Sequence, residues 1–340
     1  MRANPILAEL QRGNTVENIH RGAFCVAKAD GTAIASAGDA NRLIFPRSAI
    51  KAIQALAMFR SGAASIFGFN DEAIALACAS HHGEPQHVAG VKAMLDRLGL
   101  SVDDLECGAH PPTDPAARRS LRQNDEAPSA LHNNCSGKHA GMLAVARALG
   151  VPSKGYSERE HEVQKLVREG IETVIGEKLT VDHCGTDGCS IPTWAAPLDA
   201  FARGFARMAT GNGLPHDDFA ASLRIFDAAT ARPSLVRGSN SLDTELMTAF
   251  AGRLMIKVGA EGVFCGALRD KGWGFALKID DGNMIAAETV VANLLTAISS
   301  PDAQEAAALE KYAGRVTKNW RGIEVSTWCG TELARPIISQ

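Results

Sequence analysis

Strand-like segments lie towards the two ends of this chain and helical periodicity fills the middle, an order that argues against an alternating parallel βαβ sheet. Residues 254–258, 263–268 and 274–279 read as consecutive strands joined by short turns. Near the N-terminus, residues 22–27 and 32–36 flank Asp30-Gly31, the turn signal of a two-residue hairpin. Pairing of these distant segments gives an α+β fold: one antiparallel sheet built from N- and C-terminal segments, flanked by helices, with a mostly helical middle lobe. The expected layout is one domain over 1–340, with a sheet lobe at about 1–60 and 254–340 and a helical lobe at about 61–253.

Helices are expected from Arg47, carrying Ile50, Ile53 and Leu56 on one stripe; from Asn70 as cap to about Ala79; from Pro85, carrying Val88, Val91, Leu95 and Leu98; and from Gly137 to before Gly150. Ser157-x-x-Glu160 reads as a capping box for the next one. Helices at about 286–298 and 302–312 precede a closing strand at 322–327. Residues 107–129, rich in proline, aspartate and arginine, read as a long surface loop.

With 340 residues and 46% hydrophobic content the chain can bury a substantial core. A formal net charge of −3 gives no polybasic footprint for nucleic acid or an anionic membrane. No apolar run is long enough to span a bilayer, and the first residues lack a secretory signal, so a soluble cytoplasmic protein is the expectation. The eight cysteines are too dilute for a disulfide framework.

Phe45-Pro46-Arg47-Ser48-Ala49-Ile50-Lys51 carries the most chemistry. Spacing of three along a helix puts Ser48 and Lys51 on one face. A serine hydroxyl becomes a nucleophile only when a base takes its proton, and a lysine is such a base only once burial or a nearby cation makes it neutral. Alone, Ser-x-x-Lys describes a capping serine beside a solvated lysine as well as it describes a catalytic pair. A later strand, Met255-Ile256-Lys257-Val258-Gly259-Ala260-Glu261-Gly262, adds a lysine that runs into small residues allowing close backbone approach. Ser80, after an apolar run and before His81-His82-Gly83-Glu84, is either a polar helix end or a proton relay.

Asn133-Asn134-Cys135-Ser136-Gly137-Lys138-His139 enters a helix, where a thiolate is favoured. A second dense segment runs Asp182-His183-Cys184-Gly185-Thr186-Asp187-Gly188-Cys189-Ser190. The residue types admit a tetrahedral zinc drawn from Cys135, His139, His183 and Cys189, or two buried thiols beside a turn.

On these residues the chain resembles the rhizobial, third-class L-asparaginases, the L-asparaginase II family. The resemblance runs from Val16-Glu17-x-x-His20-Arg21-Gly22 through Pro46-Arg47-Ser48-x-x-Lys51, Ser80-His81-x-Gly83-Glu84 and Asn134-Cys135-Ser136-Gly137-Lys138-His139. It continues through Asp187-Gly188-Cys189 and Lys257-x-Gly259-x-Glu261-Gly262 to Asn319-Trp320-Arg321-Gly322. It implies a fold similar to serine β-lactamases and serine-dependent glutaminases, a homodimer, and hydrolysis of L-asparagine to aspartate and ammonia. It further implies two Ser–Lys tandems, Ser48 with Lys51 and Ser80 with Lys257, and a Zn2+ held by Cys135, Lys138 and Cys189 in place of the histidines. Arg47, His139, Asp187, Ser190 and Glu261 are the expected substrate contacts, and backbone N–H groups of Ser48 and around Glu261-Gly262-Val263 the expected oxyanion donors. Three rival readings stay open: the same chemistry on L-glutamine, a β-lactamase or penicillin-binding activity, and a zinc- or amino-acid-binding protein without catalysis.

Overall fold

The computed structural model describes residues 3–338. The chain forms two compact units: one takes residues up to Ala49, Ala196–Gly213 and Glu245 onward, the other Ile50–Ala195 and Leu214–Thr244. The first holds the main antiparallel sheet. Its eight strands are β1 (Ile6–Arg12), β2 (Thr15–Lys28), β3 (Ala33–Ala37), β4 (Leu254–Gly259), β5 (Val263–Leu268), β6 (Trp273–Ile279), β7 (Val316–Lys318) and β8 (Glu324–Gly330). Their order is β7-β8-β1-β2-β6-β5-β4, with β3 also paired to β2. The long strand β2 joins the two ends of the chain: Gly22 to Lys28 pair with β6, while its first half pairs with β1, which itself pairs with β8.

Every residue of β4 and β5 is buried, so this part of the sheet is covered on both faces. That explains why these strands read as nearly continuous apolar runs. Helix Leu198–Thr210 packs on β2, β5 and β6, and helix Met284–Ile298 on β1, β5, β6 and β8. Phe201 and Phe205, both fully buried, come from the first of these helices, each worth about 1.5–3 kcal/mol of burial. Segment Ala196–Gly213 therefore belongs with the sheet and not with the helical middle, where the sequence put it.

The helical unit is built around Ser136–Leu149, whose residues from Ser136 to Ala146 are all buried. Small residues at Gly137, Ala140, Gly141 and Ala144 allow helices Leu56–Arg60, Asp71–Ala77, Pro85–Leu98 and Glu162–Ile175 to pack around it. Asn70 caps its helix through a bond from Ala73 N at 3.1 Å, as its sequence position predicts.

Several local expectations are corrected. The helix expected from Arg47 is broken: Arg47–Ile50 is a 3-10 turn, Lys51–Gln54 and Leu56–Arg60 are short α-helices, and Arg47 itself has φ +52°. Ser48 and Lys51 therefore do not share one α-helical face. The boundary between the two units falls within this turn, after Ala49. Ser157-x-x-Glu160 caps nothing: His161 caps Glu162–Ile175, Ser157 Oγ donates to Glu106, and Glu160 pairs with Arg159. The expected loop at 107–129 contains helix Pro115–Gln123, started by Asp114 as cap and Pro115 at its first position. Strands β1 and β7 were not anticipated.

Candidate active site

In the sheet unit, residues 46–49 form the turn that carries Ser48, closed by Ala49 N donating to Pro46 O at 3.1 Å. The end of β4 abuts it. A Cβ on Gly259 would lie 2.6 Å from Pro46 O and 3.2 Å from the Ala49 Cβ, so only glycine allows this approach. Two residues earlier on the same strand, Lys257 is fully buried and its Nζ donates to Val258 O at 3.2 Å. Glu261 is exposed, with φ +60°, and its backbone carbonyl accepts from Lys278 Nζ at 2.8 Å. Of the amides considered for an oxyanion, that of Gly262 is already donating, to Met284 Sδ at 3.2 Å. Six non-glycine residues among those described have positive φ, and Arg47, Ser190 and Glu261 are three of them. Local strain of this kind concentrates where function fixes the backbone.

In the helical unit, Lys51 is fully buried, and its Nζ donates to Ala79 O at 2.6 Å, Ser80 Oγ at 2.8 Å and Cys135 Sγ at 3.1 Å. The serine that the resemblance pairs with Lys257 thus accepts from Lys51. Burial pushes the Lys51 amine below its ordinary value, with the charge of Lys138 adding to it and Cys135 opposing. Nearby, Lys138 Nζ donates to Cys189 Sγ at 2.9 Å, and the Cys135 and Cys189 thiols are hydrogen-bonded. That bond holds Cys135 well below the ordinary thiol range, helped by Lys51 and Lys138, while the same bond together with burial raises Cys189. Burial would lower Lys138, but Cys135, Cys189 and Asp187 outweigh it and raise the amine.

Cys135, Cys189 and Lys138 therefore converge as two sulfurs and one nitrogen, a donor set that fits zinc chemically once the Lys138 and Cys189 protons are displaced. The histidine alternative does not form. No group of three or more His, Cys, Asp or Glu among the described residues is arranged to hold a metal. His183 is exposed and bonded to Thr180 Oγ1 at 3.2 Å. His139 is buried with Nδ1 on the Tyr156 hydroxyl at 2.6 Å. Tyr156 also accepts from Glu106 N at 3.0 Å, and His139 Nε2 is a buried atom with no hydrogen-bond partner in this structure. Asp187 and Ser190 form a tight turn, Ser190 N to Asp187 O at 2.9 Å, that holds Cys189 between them. None of the eight cysteines is in a disulfide. Tyr156 and Arg237, whose guanidinium donates to Ser80 O at 3.0 Å, are contacts that no sequence motif marked.

No helix among the described residues is long and apolar enough to cross a membrane. Among solved structures, the chain is similar to a β-lactamase from Mycobacterium bovis, at 16% identity over 86% of this chain and 94% of that one, with a TM-score of 0.40. It is also similar to Mglu in its glutamate form, at 16% identity over 78% of this chain and 58% of that one, with a TM-score of 0.39. The comparison with curated proteins found no match. The sequence model of L-asparaginase II matches residues 8–328, nearly the whole chain. The chain belongs to the L-asparaginase II family and is an amidohydrolase.

Proposed function

We propose that this amidohydrolase hydrolyses L-asparagine to L-aspartate and ammonia through a serine nucleophile, Ser48, with Lys51 as its base. The observation that supports the reading is the environment of Lys51: an amine without solvent access, lowered by burial, three residues from Ser48 and bonded at 2.8 Å to the hydroxyl of Ser80, the relay of the same scheme. An amine lowered in this way is neutral more readily than a solvated one and can then take a hydroxyl proton.

Ser48 Oγ attacks the side-chain carbonyl as its proton passes to Lys51. The C–N bond breaks and ammonia leaves with a proton relayed by Ser80 and Lys257, giving a β-aspartyl ester on Ser48. Water adds to the ester, the C–O bond breaks, and aspartate is released with the Ser48 hydroxyl restored. Arg47, His139, Asp187, Ser190 and Glu261 bind and orient the amino acid. Cys135, Lys138 and Cys189 would hold Zn2+, which supplies a fixed positive charge that orients the substrate. The reading extends to a homodimer, on the strength of the family resemblance, and to a cytoplasmic location.

Ammonia release from L-asparagine and L-glutamine at equal concentration tests the substrate. Faster release from glutamine overturns the asparagine reading. Ser48→Ala is expected to lose several powers of ten in turnover, roughly 10⁴-fold or more, together with the mass increment of the acyl-enzyme. Near-normal turnover in that variant overturns the assignment of the nucleophile.

A further inference from the structure

Ser80 follows helix Asp71–Ala77 in a segment with no regular structure, so its own ladder does not fix its backbone. Both of its backbone groups are instead bonded to one strap, residues 233–241. Ser80 N donates to Val236 O at 2.9 Å, and Arg237 Nη1 donates to Ser80 O at 3.0 Å. The strap is anchored again a few residues along. Ser239 donates its backbone N–H to Glu84 Oε1 at 2.7 Å and its hydroxyl to Glu84 Oε2 at 2.9 Å, while His87 Nε2 bonds Ser234 O at 2.8 Å. Between these anchors Gly238, at φ +143°, lies so close to His82 that a Cβ would fall 2.5 Å from its Nδ1. On its other side the segment is tied to the entry of the central helix, His81 N to Asn134 O at 3.1 Å and His81 Nε2 to Ser136 Oγ at 2.8 Å.

We propose that Arg237 is a positioning residue for the reaction: through its charge-assisted bond to Ser80 O it fixes the backbone of Ser80 and thereby the 2.8 Å contact of Ser80 Oγ with Lys51 Nζ. Arg237 bonds the Ser80 carbonyl and not its hydroxyl. It acts by holding the serine's carbonyl, and Glu84 and Ser239 hold the strap that presents it. The inference rests on Ser80 taking part in turnover. A structural role alone would spread its effect over stability, whereas this one confines it to the rate of proton transfer.

The test uses the full-length enzyme and ammonia release from L-asparagine. Arg237→Ala is expected to lower kcat by roughly 10- to 100-fold, with KM within about threefold, the melting temperature kept, and activity partly restored by Arg237→Lys or by added methylguanidine. In a Ser80→Ala background, Arg237→Ala is expected to cost nothing further, because the group it positions is gone. A wild-type kcat in Arg237→Ala, or an equal fractional loss in both backgrounds, overturns the proposal. Ser80→Ala with unchanged turnover removes the reading beneath it, and that variant alone tells the two failures apart. If Arg237→Ala does not fold, Arg237→Lys and Ser239→Ala decide the matter: both at wild-type kcat overturn the proposal, and reduced kcat at unchanged melting temperature supports it.

Discussion

Lys51 and Lys138 are buried in the same unit and each donates to a cysteine sulfur, at 3.1 Å and 2.9 Å, yet their basicities move in opposite directions. Burial acts on both alike, disfavouring the ammonium. The neighbours differ. Lys138 meets Cys135, Cys189 and Asp187, whose negative charge outweighs burial; Lys51 meets the Cys135 sulfur and a hydroxyl and a carbonyl, and the charge on Lys138 works against it. Under the proposed function, one side-chain type serves two tasks within one cluster. At Lys51 the neutral amine is within reach as a base. At Lys138 the ammonium persists until something with higher charge, a divalent metal on the two sulfurs, displaces its proton.

Arginine substitution separates the two tasks most sharply, since arginine keeps the charge and cannot give up its proton. Lys51→Arg is expected to reduce kcat for asparagine by roughly 10²- to 10⁴-fold, as removal of a general base should, while keeping bound zinc. Lys138→Arg should keep the base and lose the metal. Paired measurements of turnover and of zinc per chain decide this, and an active Lys51→Arg breaks the contrast.

Metal removal is the next largest effect. Dialysis against a chelator, or Cys189→Ala, is expected to raise KM for asparagine by at least about tenfold while leaving appreciable turnover at saturating substrate, because the proposed nucleophile is a serine and not a metal-bound water. Zinc content and initial rates across a wide asparagine range give the answer. Complete loss of turnover at saturation would transfer a chemical role to the metal.

A partly buried cation supplies the conventional reference. Arg60 makes a bidentate bond to Asp218, Nε to Oδ1 at 2.9 Å and Nη2 to Oδ2 at 2.5 Å, with the Asp218 side chain only 5% exposed. Asp218→Ala leaves that guanidinium without its carboxylate and is expected to cost about 3 kcal/mol of stability, read as a lowered midpoint in urea with kcat unchanged. A loss of kcat without loss of stability would mean that this pair, too, serves the reaction.

How much of this the sequence displayed depends on where each signal is written. Strands β4, β5 and β6 and the hairpin of β2 with β3 were legible because each is long enough for its β-rich run to stand out and is closed by a local turn. Strand β1 owes its state to partners on both sides, one of them β8 at the other end of the chain, and β7 has only three residues. The stripe of Ile50, Ile53 and Leu56 is real and all three are buried, but periodicity does not report the positive φ at Arg47 that breaks the helix. At the site, Lys51 meets residues 29 and 84 positions away, so no spacing rule joins Lys51, Ser80 and Cys135. The residue types were visible and their convergence was not. The resemblance named the lysine among the metal ligands where chemistry alone favoured histidines, and His139 and His183 are engaged elsewhere.

Helix Pro115–Gln123 marks the opposite extreme from the buried cluster, and the smallest effect. None of its residues is buried, so no apolar stripe announced it and little tertiary packing sustains it. What starts it is Asp114, whose side chain accepts from Ala117 N at 2.7 Å. Loss of that cap in Asp114→Ala should cost about 1 kcal/mol, felt locally as faster amide exchange over the helix, with global stability and kcat unchanged. The buried cluster and this helix would then respond independently, as expected for sites that share no partner. A fall in kcat in Asp114→Ala would instead mean that the bond from Asp114 N to His82 O at 3.0 Å transmits the change to the segment carrying Ser80, a further tie beside the strap at 233–241 and the entry of the central helix.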